Sequence, residues 1–377
     1  MRISTQMMFQ SSNSDLTNMQ SQILKLTQQV TAGKKVLVPS DDPVASARAL
    51  DLAQTQALND QYQTNRNNAN SSLAQVQSTL TSFNDMLTKL KSDVIKAGNQ
   101  SFSNAERANL ASELKSNFQE VLGYANAKDG QGNFLFSGFK STTQPFALDG
   151  NGGVVYNGDQ GTMTLQVDST RTMDISASGQ SIFQGNGQDI FQTMNNLINV
   201  LAVPVTEAAN KADEQAANTF QYPAGSGQFP IQAYKTAQAT LDATDPSDPT
   251  YSAKFSAAAA AKLQSDAADA ARTPVPGSQA SLTRQLAKFN GQFDAMIDNV
   301  GTANASVGAR QNELDNLDAA GKVQKENYTS TMNDLLGGNT SDMNEMVSDL
   351  SLKQIYLSAA QKVFVSTSSL TLLNYLK

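Results

Sequence analysis

The sequence predicts an α+β protein: an elongated rod of long antiparallel helices, a coiled coil formed by both chain ends, with a β-rich domain and a further partly helical insert in the middle. Three observations carry this. Apolar residues recur at heptad spacing near both ends of the 377-residue chain. Two interior stretches, from about 44 to 95 and from Leu282 onward, continue that pattern over lengths that only long helices fill. Between them glycines cluster and short alternating runs appear, the pattern of turns and strands.

At the N-terminus Phe9, Leu16, Ile23 and Val30 stand seven residues apart, with Met19 and Leu26 at the intervening positions, which makes one seam of a coiled coil. The seam stops at Thr31-Ala32-Gly33. After Val38-Pro39-Ser40, Asp42 is placed to cap a second helix and Pro43 suits its first turn. This helix runs from Val44 to about Ile95 without proline or glycine, and Leu73, Val76, Leu80, Phe83, Leu87, Leu90 and Val94 line one face. Its stretch around Tyr62 to Asn70 is much more polar. Beyond Gly98, Ser103 and Glu106 form a capping-box pattern, and Leu110, Leu114, Val121 and Tyr124 continue a helix that returns antiparallel to about residue 127.

The pattern changes at Asp129-Gly-Gln-Gly-Asn133. Met163, Leu165, Val167 and then Met173, Ile175 alternate as strands do, and a β unit is expected over 141–202. Seven of the ten prolines fall between Pro204 and Pro276, in an alanine-rich stretch with helical patches at about 205–219, 231–243 and 251–272. From Leu282 the heptad returns through Leu286, Phe289, Phe293, Met296, Val300, Ala303, Val307, Leu314 and Leu317, and its partner of comparable length is the 44–95 helix. A last helix carries Met343, Leu350, Leu357 and Phe364 at seven-residue spacing and mirrors the first. The expected domains are 1–43 with 341–377 as a terminal coiled-coil assembly domain, unfolded or mobile before assembly; 44–140 with 282–340 as the helical rod; 141–202 as a β-rich outer domain; and 203–281 as an Ala/Pro-rich inserted accessory domain.

Composition narrows the function. Cys, His and Trp are absent, which removes thiolate nucleophiles, imidazole bases and the commonest transition-metal ligands. The net charge is −7 and no basic patch stands out, so nucleic acid is not an expected partner. No signal-peptide core and no apolar run of bilayer length is present, so no membrane partner is expected either. Asp41 and Asp42 are adjacent before a proline and read as a helix cap rather than an acid–base pair. Asp129, Asn133, Asp149, Asn151 and Asp159 include calcium-loop residue types but not the EF-hand spacing or its closing Glu, so they read as turns. Gly150, Gly152 and Gly153 precede no helix, and no Ser-x-x-Lys stands in a persuasive context. No catalytic, cofactor or metal residue is assigned, no cofactor is expected, and the chain is not expected to be an enzyme.

Several motifs resemble a known family. Met1-Arg2-Ile3-Ser4-Thr5, Thr31-Ala32-Gly33-Lys34-Lys35 with Pro39-Ser40-Asp41-Asp42-Pro43, and Gly132-Asn133-Phe134-Leu135-Phe136-Ser137-Gly138 with Pro145-Phe146 are similar to the flagellin-like axial proteins, and within them to the hook–filament junction subunits, the hook-associated proteins of FlgL type. Val307-Gly308-Ala309-Arg310-Gln311-Asn312 and the end from Ser368-Ser369-Leu370 to Tyr375-Leu376 add to the likeness. It covers about 1–200 and 282–377, and 203–281 departs from it.

The resemblance implies a structural subunit of the bacterial flagellum, exported without a cleaved signal peptide by the flagellar type III system. The partners it implies are further copies in a ring, the first hook-associated junction protein, flagellin, and a cytoplasmic export chaperone on the C-terminal helix. A flagellin is the alternative within the family. A surface-displayed adhesin using the insert is the alternative outside it. Phe9, Leu16, Met19, Ile23, Leu26, Val30, Met343, Leu350, Leu357 and Phe364 are the candidate subunit-interface residues.

Overall fold

The structure, a computed structural model, describes residues 5–150 and 152–375, with side chains for 7–150 and 152–367. Met1-Arg2-Ile3-Ser4, Asn151 and Leu376 of the motifs above lie outside the described residues, as do the side chains of Ser368, Ser369 and Leu370.

The chain begins with helix α1 (Thr5–Ala32), followed by α2 (Pro43–Ala97) and α3 (Asn104–Ala125). Four short strands come next, β1 (Phe146–Leu148), β2 (Val154–Tyr156), β3 (Thr164–Gln166) and β4 (Thr172–Asp174), then α4 (Gly179–Phe183) and α5 (Ile190–Ala202). Helices α6 (Glu207–Asn218), α7 (Pro230–Asp242) and α8 (Tyr251–Ala271) fill the insert, and α9 (Gln279–Leu336) and α10 (Thr340–Tyr375) complete the chain. The predicted class holds: long helices come from both ends, and small sheets occupy the middle.

Local chemistry sets the helix boundaries. Asp42 Oδ1 accepts from the amides of Val44 and Ala45 at 3.0 and 2.9 Å, so α2 starts where its free N–H groups find a carboxylate. Ser103 and Glu106 make the reciprocal capping box of α3. Gly33 and Gly337, with φ of 65° each, close α1 and α9 in the left-handed conformation that glycine adopts without steric cost. The 33–36 turn is then tied to the end of α9, because Lys35 and Val36 donate their amides to the Leu336 carbonyl at 2.9 and 3.1 Å.

The chain divides into two units. The larger comprises Ala69–Leu165 and Met173–Asn312. Its core is the heptad seam of α2, with Leu73, Leu80, Leu87 and Leu90 fully buried, together with the buried Leu286, Phe293 and Val300 of α9. Each such side chain contributes about 1.5–3 kcal/mol through area removed from water. Lys91 pairs with Asp294 and Lys89 with Glu113, which fits antiparallel courses for α9 and α3 beside α2. An aromatic cluster continues this core: the Phe183 ring lies 4.7 Å from Phe83, 5.3 Å from Phe136 and 5.3 Å from Phe146, and Phe191 lies 5.4 Å from Phe146. The Phe134–Gly138 and Pro145-Phe146 motif therefore supplies core aromatics.

Strands β1 and β2 pair antiparallel with Phe146 opposite Tyr156, and β3 pairs with β4. The stretch 141–202, read as β-rich, also contains helix α5. Asp189 caps it through the Phe191 and Gln192 amides, and Ile190, Phe191, Met194, Leu197, Ile198 and Leu201 bury one face. That is helical spacing, which the surrounding glycines mask in the sequence. Asp129 accepts from the Gln131 and Asn133 amides at 2.8 Å each, the turn predicted there.

The insert has a small core of Ala217, Ile231 and Ala268, with Phe220 and Tyr222 against it. A buried ion pair supports it: Arg272 donates to both Asp213 oxygens at 2.8 and 3.0 Å, and the Val275 amide adds a third bond at 2.7 Å. Burial opposes ionisation of Asp213, but Arg272 and the Val275 amide outweigh it and hold the carboxyl below its ordinary value.

Candidate assembly interface at the chain ends

The smaller unit comprises Met1–Asn68, Gln166–Thr172 and Glu313–Lys377, and within it α1 packs against α10. The two helices run antiparallel. The Phe9 ring meets Phe364 edge-on at 5.0 Å, Lys353 Nζ donates to Gln22 Oε1 at 2.9 Å, and Lys35 pairs with Glu345 at 3.2 Å. Lys25 pairs with Asp41 at 2.6 Å, and Asp41 also accepts from the Leu37 amide at 3.1 Å. The Lys25 bond and the backbone amides pull the Asp41 carboxyl below its ordinary value.

Of the seam residues read from the sequence, Phe9 meets Phe364, and Leu16 and Met19 line one groove with them. Leu16, Met19, Ile23, Leu26 and Val30 of α1 and Met343, Leu350, Leu357 and Phe364 of α10 are all half-buried, and Phe9 is exposed. Two antiparallel helices cover only one side of each seam, whereas full burial takes a third or fourth helix. Near the outer end the two helices leave a groove of about 350 Å³, lined by Met8, Phe9, Leu16, Met19, Ala360, Val363 and Phe364.

The sequence reading missed half of the α10 seam. Met346, Lys353, Ala360 and Thr367 occupy the intervening heptad positions, and among the described residues Met346 is the one buried seam residue of α10. Lysine, alanine and threonine do not announce a seam, although Lys353 can lay its alkyl stem along it and keep its ammonium on Gln22. A second apolar stripe lies on another face of α10. Leu352, Ile355, Tyr356 and Val363 follow one another at three-, one- and seven-residue steps and are 47, 60, 54 and 65% exposed. Among the described residues, no group of three or more acidic side chains is placed to hold a metal, and no helix is long and apolar enough to cross a membrane.

The site is thus a pair of long terminal helices with a partly covered apolar seam, and small sheets lie between them in the chain order. In agreement, residues 3–141 match the family model of the bacterial flagellin N-terminal helical region. The chain is 30% identical over 375 residues to flagellar hook-associated protein 3 of Salmonella typhimurium, covering 99% of this chain and 98% of that one, and equally to its Escherichia coli counterpart. This chain belongs to the flagellar hook-associated protein 3 family. Solved structures share the fold. A hook-associated protein of Vibrio parahaemolyticus aligns over 79% of this chain and all of its own at 23% identity with a TM-score of 0.53. The flagellar junction protein FlgL of Legionella pneumophila aligns over 77% of this chain and all of its own at 18% identity with a TM-score of 0.52.

Proposed function

We propose that this chain is a structural, non-catalytic subunit at the junction between flagellar hook and filament, on which the filament assembles and by which it stays attached. Family membership supports the flagellar role. The observation that carries the interface is the half-covered seam of α1 and α10, joined by the bare stripe Leu352, Ile355, Tyr356 and Val363. Apolar area left wet at about 25 cal/mol per Å² is recovered when neighbours cover it, so assembly and completion of the terminal pair are coupled.

In this reading 1–43 and 341–377 form the assembly domain, 44–140 and 282–340 the supporting helices, 141–202 an outward unit and 203–281 an accessory insert. Copies of the chain form a ring, the first hook-associated junction protein lies on one side of it, and flagellin adds on the other. The absence of cysteine and of any long apolar run suits export in an unfolded state through the flagellar type III route to the cell exterior. An export chaperone that covers the bare stripe of α10 beforehand fits the same surface.

Electron microscopy of cells lacking the protein, with flagellin assayed in the medium, tests the assignment. Hooks without filaments and flagellin shed to the medium are expected. Filaments of normal number and attachment in those cells would contradict it.

A further inference from the structure

The polar stretch of α2 near Tyr62 to Asn70 plays no part in the assembly reading, yet it holds the buried Arg66, 4% exposed. Arg66 Nη1 donates to the Val167 carbonyl at 3.1 Å, and its Nε stands 3.6 Å from Asp318 Oδ1. A β-carbon on Gly321 would run into its Nη2. One side chain thus touches α2's own surroundings, α9 and residues 166–172 at the turn between β3 and β4. Its neighbours repeat the pattern. Asn65 Nδ2 donates to the Gln166 carbonyl at 2.7 Å, Asn59 Nδ2 to the Gly321 carbonyl at 3.0 Å, and Arg171 pairs with Glu313 at 2.7 Å.

The cluster is charged and incompletely satisfied. Lys322 pairs with Asp318 at 2.7 Å and Lys325 with Asp60 at 2.9 Å, but Arg66 Nε and Nη2 and Asp318 Oδ1 find no well-directed hydrogen bond among the described residues. Buried polar groups in imperfect contact weaken the place where they sit. Apolar burial at the turn is confined to Val167. Elsewhere on α2 the helix is held by the Leu73–Val94 seam, which owes nothing to Arg66.

We propose that Arg66 is an ionic latch that holds the turn 166–172 against α2 and α9 and can let it go while the helices stay folded. In the latched state the guanidinium orders the turn, and Gly321 is the residue that leaves room for it. Hydrogen exchange on the full chain tests this. In Arg66→Met, amides of 166–172 should exchange about tenfold faster or more, with the 73–94 amides unchanged, as for a local opening rather than global unfolding. If Arg66→Met does not fold, Gly321→Ala decides, because it displaces the guanidinium and keeps every charge. Selective loss of protection at 166–172 is again expected. Unchanged exchange at the turn in the folded variant would overturn the latch. So would loss of helical signal in both variants, which would make Arg66 a part of the folding core.

Discussion

The seam of α2 in the larger unit and the seam between α1 and α10 in the smaller one are written with the same heptad spacing but end at different burial. Leu73, Leu80 and Leu87 are sealed by surrounding helices and the aromatic cluster, whereas Leu16, Ile23, Leu350 and Leu357 stay half-covered by a single partner helix. Spacing determines which face turns inward. The number of neighbours determines how much of that face is lost to water, and so whether a seam stabilises the monomer or awaits an assembly.

Substitutions sharpen that contrast. The largest loss is expected at the aromatic cluster, where Phe83→Ala should cost about 3–5 kcal/mol in denaturant unfolding, because the void lies among Phe183 and the α2 seam. Leu80→Ala should cost about 2–5 kcal/mol, and Leu16→Ala in the same assay clearly less than Leu80→Ala, since its environment is already half solvent. Equal losses at Leu80 and Leu16 would remove the distinction between the two seams. Removing the hydroxyl in Ser103→Ala should cost about 1 kcal/mol, the usual worth of a helix cap.

A pH titration separates the insert from both seams. The folded carboxyl of Asp213 titrates below its ordinary value of 3.8, so its contribution is complete above that value and fades as pH falls through the lowered one. Tyrosine fluorescence, with Tyr222 beside the insert core, should report a loosening on acidification below about pH 4. Asp213→Asn should remove that step. An unchanged acid transition in this variant would show that the pair does not control the insert.

Much of the fold was legible because heptads are local statements. The α1, α2, α9 and α10 seams, the Asp42 and Ser103 caps and the three insert helices follow from spacing and from residues within one turn of each boundary. Helix α5 was hidden among glycines and read with the strands. The Phe134–Gly138 motif stands out in the sequence by its resemblance alone, while its physical role emerges only when Phe183 packs on Phe136 and gathers Phe83 and Phe191 from distant parts of the chain. At the candidate interface the leucines and phenylalanines were visible, but Lys353 and Ala360 were not, because a seam tolerates a long amphipathic or small side chain. The polarity of the α2 stretch was visible too. Its reason, Arg66 reaching Val167 and Asp318, joins residues far apart in sequence.

The most direct test places one charge on the half-covered seam. Leu357→Asp in the intact cell should abolish incorporation at the hook tip, scored by electron microscopy, while the purified variant keeps the cooperative unfolding of the larger unit within about 1 kcal/mol of wild type, as befits a change that shares no partner with that core. Normal filament attachment with Leu357→Asp would contradict the claim that this seam is completed by assembly.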